Sequence, residues 1–235
     1  MVRNNMTEQF FNVVYYCSMI FDWKFVCKTN ADTLYKSGML NDKRCRSFTI
    51  VVTGEEHLVK DLKKIFNNEK ITFKYKGNDI KSHEYYGIKK IKNLANTYKN
   101  DKLLYYHSKG ITRRRAAVDW VEYLEYFNIL NYNKCLDKLD TCDVVGTEYL
   151  CKPKDHMSGN FWWATAKHIS TLKVPSIYSK RHNFEWFILN SKKPISIWNF
   201  HNSIDTTISM YNGKRREDEY HDINQGSMIK INKNK

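Results

Sequence analysis

Long apolar runs are missing from this 235-residue sequence. None approaches the roughly 18 residues that a membrane-spanning helix requires, so no transmembrane segment is expected. The apolar patch near the start lacks a small-residue cleavage site and is interrupted by Asn12 and Asp22, so it reads as a first strand and not a signal peptide. Only 3 prolines and 9 glycines occur, with no Pro/Gly/Ser-rich linker and no internal repeat, which excludes collagen-like and low-complexity chains and leaves one domain. The 6 cysteines form no C-x-x-C pair and no zinc-finger spacing. Their thiols are therefore expected to be reduced and mostly buried, in a cytoplasmic setting. Neither G-x-G-x-x-G nor G-x-x-x-x-G-K-[ST] is present, which disfavours dinucleotide dehydrogenases and P-loop enzymes. Without a glycine-rich phosphate cradle, any phosphate has to be held by side-chain cations, hydroxyls or a metal.

What is present is a globular composition, 42% hydrophobic and 14% aromatic, with a formal net charge of +14. That balance favours anionic partners: nucleic acid, acidic lipid headgroups or phosphorylated small molecules. Much of the lysine is dispersed, as on solvated faces, and only Arg113–Arg115 forms a cluster that suggests a specific anionic or lipid-linked partner at a membrane surface.

Apolar β-branched and aromatic runs alternate with helical patterns. Phe10–Cys17, Arg46–Gly54, Ile71–Gly77 and Lys102–Gly110 read as strands, and 23–37, 55–66 and 84–98 as the helices between them. Ala117–Leu139 reads as the longest helix, Asp143–Leu150 and Gly159–Ala166 as strands, 183–190 as helical, and Ile195–Phe200 as the last strand. From Lys214 the chain is polar and reads as a loosely held tail, so the domain is expected over 1–213 and the tail over 214–235. Alternation of strand and helix predicts an α/β domain, a mostly parallel central sheet with helices on both faces. Ligands of such sheets lie at the carboxyl ends of the strands.

The polar turns at those ends hold the candidate chemistry. In His107-Ser108-Lys109-Gly110, Lys109 can neutralise a diphosphate, Ser108 can donate to an oxygen, and His107 can donate to phosphate or bind a metal. Gly110 lets the backbone turn close to a ligand. An ordinary solvated turn is the alternative. In His156-Met-Ser-Gly-Asn-Phe-Trp-Trp163, Ser158, Gly159 and Asn160 suit sugar hydroxyls. Strand alternation places Trp162 with Asn160, as a ring to stack on a sugar or base, and Trp163 in the core. Glu185, near the start of a helix, is either a general base or a carboxylate favoured by the helix dipole. His201 ends the 195–200 strand, where a structural or solvated histidine is the alternative to a ligand.

Taken in order, HSKG preceded by KLLYY, then DVVGT, SGNFWWA and R-x-x-x-E-W resemble a branch of GT-A fold glycosyltransferases found in bacteria and large DNA viruses. The resemblance runs from about Phe10 to His201 and implies a Rossmann-like nucleotide-diphospho-sugar transferase domain. It implies transfer of a sugar from a nucleotide-diphosphate donor to a glycan, glycolipid or protein acceptor. Tyr16, Cys17 and Ser18 would then lie by the nucleobase through backbone contacts, Lys109, His107 and Ser108 by the diphosphate with help from Lys90, and Asn160, Ser158, Gly159 and Trp162 by the sugar. The family's Asp-x-Asp is replaced by His107 and Lys109, which leaves open both Mn or Mg held with the help of His107 and His201, and a metal-independent mechanism. Two other readings stay open: a catalytically inactive sugar-nucleotide-binding domain, and a basic nucleic-acid-binding module, against which the absence of any binding motif counts.

Overall fold

The strand alternation read from the sequence becomes a mixed eight-stranded sheet in the computed structural model, which describes residues 9–112, 117–202, 220–221 and 226–232. Phe11–Met19 forms β1, an apolar run buried on both sides, as expected for a central parallel strand. α1 (Trp23–Ser37) follows and ends at Gly38, whose φ of 72° is the left-handed conformation that closes a helix. Next come β2 (Cys45–Gly54), α2 (Val59–Ile65), β3 (Ile71–Tyr75), α3 (Tyr85–Thr97) and β4 (Lys102–His107). α4 (Val118–Glu125) and α5 (Tyr132–Lys138) precede β5 (Val144–Gly146), the small β6–β7 pair (Tyr149–Leu150, His156–Met157) and β8 (Trp162–Thr165). The chain continues through α6 (Ala166–Ile169), α7 (His182–Glu185), β9 (Ile195–Asn199) and β10 (Ser227–Ile231). Strand order is β10-β9-β5-β8-β4-β1-β2-β3, with β4, β1, β2 and β3 mutually parallel, β9 parallel to β5, and β8 and β10 running against their neighbours.

The period of two along each strand divides the core. Val13, Tyr15 and Cys17 of β1 pack with α1, α2, α4 and α5, while Val14 and Tyr16 pack with α3 and the α6–α7 region. The α/β domain with helices on both faces is therefore as expected. Three local readings change. The helix expected over Ala117–Leu139 is interrupted by a π turn at Tyr126–Leu130. There the amides of Asn128 and Asn131 donate to the carbonyls of Leu124 and Tyr126 at 2.9 and 2.8 Å, displacing the regular ladder. The strand expected from Gly159 begins only at Trp162, because Gly159 and Asn160 take φ of 91° and 58°. Ile195–Phe200 is not the last strand: Ser227–Ile231, in the segment read as a loose tail, pairs with β9 over Asn199–Ile195. Tyr220 of that segment is buried against Tyr123 and Phe127. No helix among the described residues is long and apolar enough to cross a membrane.

Candidate functional site

Register fixes where the polar turns meet. Tyr16 of β1 lies beside His107 of β4, and the Ser108 N–H donates to the Tyr16 carbonyl at 2.9 Å. The ends of the two strands, Ser18 on one and Ser108-Lys109-Gly110 on the other, therefore open on the same carboxyl edge. A cleft of about 800 Å³, its open mouth included, forms there, and Tyr16, Ser18, His107, Ser108, Lys109 and Gly110 line it. Glu84, His83 and Ile80, from the approach to α3, wall it on one side, and Arg181, just before α7, on another. Arg113–Arg115 lies outside the described residues.

Lys109 sits at the bottom, 5% exposed, with its ammonium 4.1 Å from the ring centroid of Trp120. Burial pushes its pKa down from 10.5 to about 8; Glu185 and Glu84 pull it back up and Arg181 pushes it further down. His107 was expected to donate to phosphate or to bind a metal. Its Nε2 lies 3.0 Å from the Gly159 carbonyl, so that nitrogen must carry the proton, and Nδ1 is left as an acceptor. Burial, with Lys109 adding to it, holds its pKa at about 3, so the ring is neutral and cannot donate to a phosphate from Nδ1. Glu185 pairs with Arg181 at 3.5 Å and His182 at 3.3 Å. Burial alone would raise its pKa, but Lys109, Arg181 and His182 outweigh burial and keep it below the usual carboxylate range. It is an ionised carboxylate behind the cleft wall, held as a charge partner.

Sequence reasoning missed Glu84. This carboxylate is buried, accepting from the Tyr105 hydroxyl at 2.8 Å and from the Asn160 amide at 2.7 Å. Burial raises its pKa despite those bonds. In the sequence it looks like an ordinary acid at a helix start, and the only signal was its company, Asn160, which was read as facing ligand.

The SGNFWW segment accordingly has another task. Asn160, fully buried, uses its amide on Glu84 and its carbonyl on the Trp162 indole N–H at 2.8 Å. Trp162 is fully buried too, stacked on Tyr105 with centroids 5.2 Å apart and planes at 27°. It lies on the opposite face from Trp163, as alternation required, but in a second core and not against a ligand. Ser158 is buried and its N–H donates to Glu148 O, and a Cβ on Gly159 would come within 2.4 Å of Leu124. These four residues support the cleft from behind and do not line it. Cys17 faces the other side of the sheet, its sulfur 3.4 Å from that of Cys27. Lys90 stands near Lys74 and Lys76, which together with burial lower its pKa, away from the cleft lining. His201 bonds the Tyr123 hydroxyl through Nδ1 at 2.9 Å and packs on Phe127. It is not brought to Lys109. Among the described residues no group of three or more His, Cys, Asp or Glu side chains is placed to hold a metal ion.

A family model described as a domain of unknown function, DUF8361, matches residues 39–217, about three quarters of the chain. The chain belongs to that family. The match takes in β2 through β9, and with them Glu84, Lys109, Asn160 and Glu185; β1 precedes it. No curated protein matches this DUF8361 chain by sequence. Solved structures similar to it include a 4-diphosphocytidyl-2C-methyl-D-erythritol synthase from Anaerococcus prevotii, 11% identical over 90% of this chain and 93% of that one, with a TM-score of 0.45. A cytidylyltransferase from Leptospira borgpetersenii is 12% identical over 90% and 84%, with a TM-score of 0.47. HddC from Yersinia pseudotuberculosis is 12% identical over 81% and 90%, with a TM-score of 0.49.

Chemically, the cleft offers one buried ammonium, one guanidinium, two serine hydroxyls and one buried carboxylate. Such a set has the chemistry to hold a polyanion at Lys109 and Arg181, with Glu84, an acceptor of raised pKa, in the same lining.

Proposed function

We propose that the cleft binds a nucleotide-diphosphate sugar and that the protein is a glycosyltransferase. The observation that carries this reading is Lys109, a buried ammonium at the end of a parallel strand, in one cleft with Arg181. Holding a cation out of water opposes folding, and a functional use accounts for keeping it there. The use is at the leaving group: as the bond from the anomeric carbon to the phosphate oxygen breaks, negative charge grows on the diphosphate and Lys109 stabilises it. Ser18 and Ser108 donate to phosphate oxygens, and Arg181 takes the outer ones. Glu84 accepts a sugar hydroxyl or the acceptor's proton, while Glu185 keeps Lys109 and Arg181 charged and oriented.

The residues where the family's Asp-x-Asp would stand do not suit a divalent cation. The Lys109 ammonium repels such an ion and no carboxylate stands in the turn to offset it, so the His107 ring, whose free Nδ1 could ligate, and the Ser108 hydroxyl would hold one only weakly. The reading is therefore metal-independent leaving-group stabilisation.

The test is a thermal-shift panel of nucleotide sugars, each with manganese and with EDTA, followed by donor hydrolysis and transfer assays. Stabilisation by a nucleotide sugar and turnover undiminished in EDTA are expected. Stabilisation without any turnover would leave a binding domain. A salt-sensitive shift with single-stranded nucleic acid and none with nucleotide sugars would replace the reading altogether.

A further inference from the structure

The rim of this cleft carries an apolar surface that binding a diphosphate does not require. Among the described residues, seven large hydrophobic side chains are exposed; two of them, Phe25 and Ile80, border the same turn, and a third, Phe21, directly follows Ile20 of the cleft lining. Phe25 lines a small hollow with Lys109 and Gly110 on one side; Ile80 lines the main cleft with the same two residues on the other. Phe21, 76% exposed, has a φ of 48°, so the backbone holds a bulky side chain in water in the left-handed region. That conformation is costly for a residue of this type, and it gains nothing from the core.

Charge accompanies the rim. Lys24, Phe25 and Lys28 are exposed on the first turns of α1, and Phe21 is exposed just before it. α2 adds Lys60 and Lys64, whose charges, with that of Lys24, surround the single carboxylate of Asp61. Lysines beside protruding phenylalanines make the polar and apolar halves of an interfacial surface. The net charge of +14 opposes pairing with a second copy, and an aliphatic Ile80 offers nothing for a base to stack on.

We propose that the mouth of the cleft seats on an anionic lipid surface, with Phe21, Phe25 and Ile80 entering the headgroup layer and the α1–α2 lysines neutralising acidic lipids. The cleft would then open toward the bilayer, where a lipid-linked molecule can reach it from the membrane side.

The experiment is co-sedimentation with vesicles of phosphatidylcholine containing phosphatidylserine, and with phosphatidylcholine alone, at low and high salt, without any nucleotide. The expected result is binding to the acidic vesicles that weakens in high salt and falls roughly tenfold or more in a Phe21→Ser, Phe25→Ser double variant of unchanged melting temperature. No binding to acidic vesicles, binding that the double variant retains, or equal binding to neutral vesicles would overturn it. So would loss, in the double variant, of a single-stranded oligonucleotide complex or of a dimer in place of vesicle binding. None of these readouts involves a sugar nucleotide, so the glycosyltransferase reading can fail while this one stands, and the reverse.

Discussion

Replacing Lys109 by methionine keeps the length of the side chain and removes its charge. The folded protein holds this ammonium with a pKa of about 8, against 10.5 when solvated. That difference amounts to roughly 3 kcal/mol by which the native state favours a neutral group at this position. Because the pKa falls on folding, the unfolded chain binds more protons between the two values, so this group makes stability rise with pH from about 8 toward 10.5. Below pH 8 the full cost of the buried charge is present. Lys109→Met should therefore stabilise the protein at pH 7 by about 1–3 kcal/mol, with the loss of the Trp120 contact and of compensation for Glu84 and Glu185 setting the lower figure. In a chain of this size that is a rise of roughly 2–12 °C in melting temperature. The same variant should lose at least about tenfold in affinity for a nucleotide diphosphate, since one charge-assisted contact is worth roughly 1.5–3 kcal/mol. In the wild type, binding should weaken as pH rises through about 8, opposite to the stability trend. Calorimetry and isothermal titration across pH 6–10 measure both. A variant that melts lower and binds phosphates as the wild type does would show that Lys109 is a structural cation and would refute the reasoning.

Two more substitutions separate the support from the site. Asn160→Ala leaves Glu84 and the Trp162 N–H each short of a buried partner and puts alanine at a φ of 58°, so a loss of about 3–5 kcal/mol is expected in chemical denaturation; a change below about 1 kcal/mol would show that the asparagine bonds ligand instead. Glu185→Gln should lower turnover while shifting stability by less than about 1 kcal/mol, because its partners Arg181 and His182 are largely exposed; unfolding of the variant would make the carboxylate structural.

The parallel half of the sheet was legible because its strands are continuous apolar runs and its turns are glycine- or serine-marked, as in the stretch ending His107-Ser108-Lys109-Gly110. The helix break at Tyr126–Leu130 was not, since Asn128 and Asn131 suit a polar helix face until their amides find carbonyls to cap. The candidate site divided in the same way. Residues adjacent to a strand end, Ser18 and Lys109 among them, could be placed by chain position alone. Asn160 and Trp162 could not, because amide and indole are recognition groups in the open and locking groups when buried, and only the approach of Glu84, 76 residues earlier, decides between them. His107 shows the same ambiguity: its chemistry depends on a carbonyl 52 residues further along.

The pairing of β10 with β9 bears on where this chain can be shortened. Cut at the boundary that polarity suggests, near Gly213, it would lose the whole partner of Ile195–Asn199. A row of amide and carbonyl groups on β9 would then stand open as a template for other chains. Shortened proteins should clump through that border while their cleft, three strands away at β4, keeps its shape.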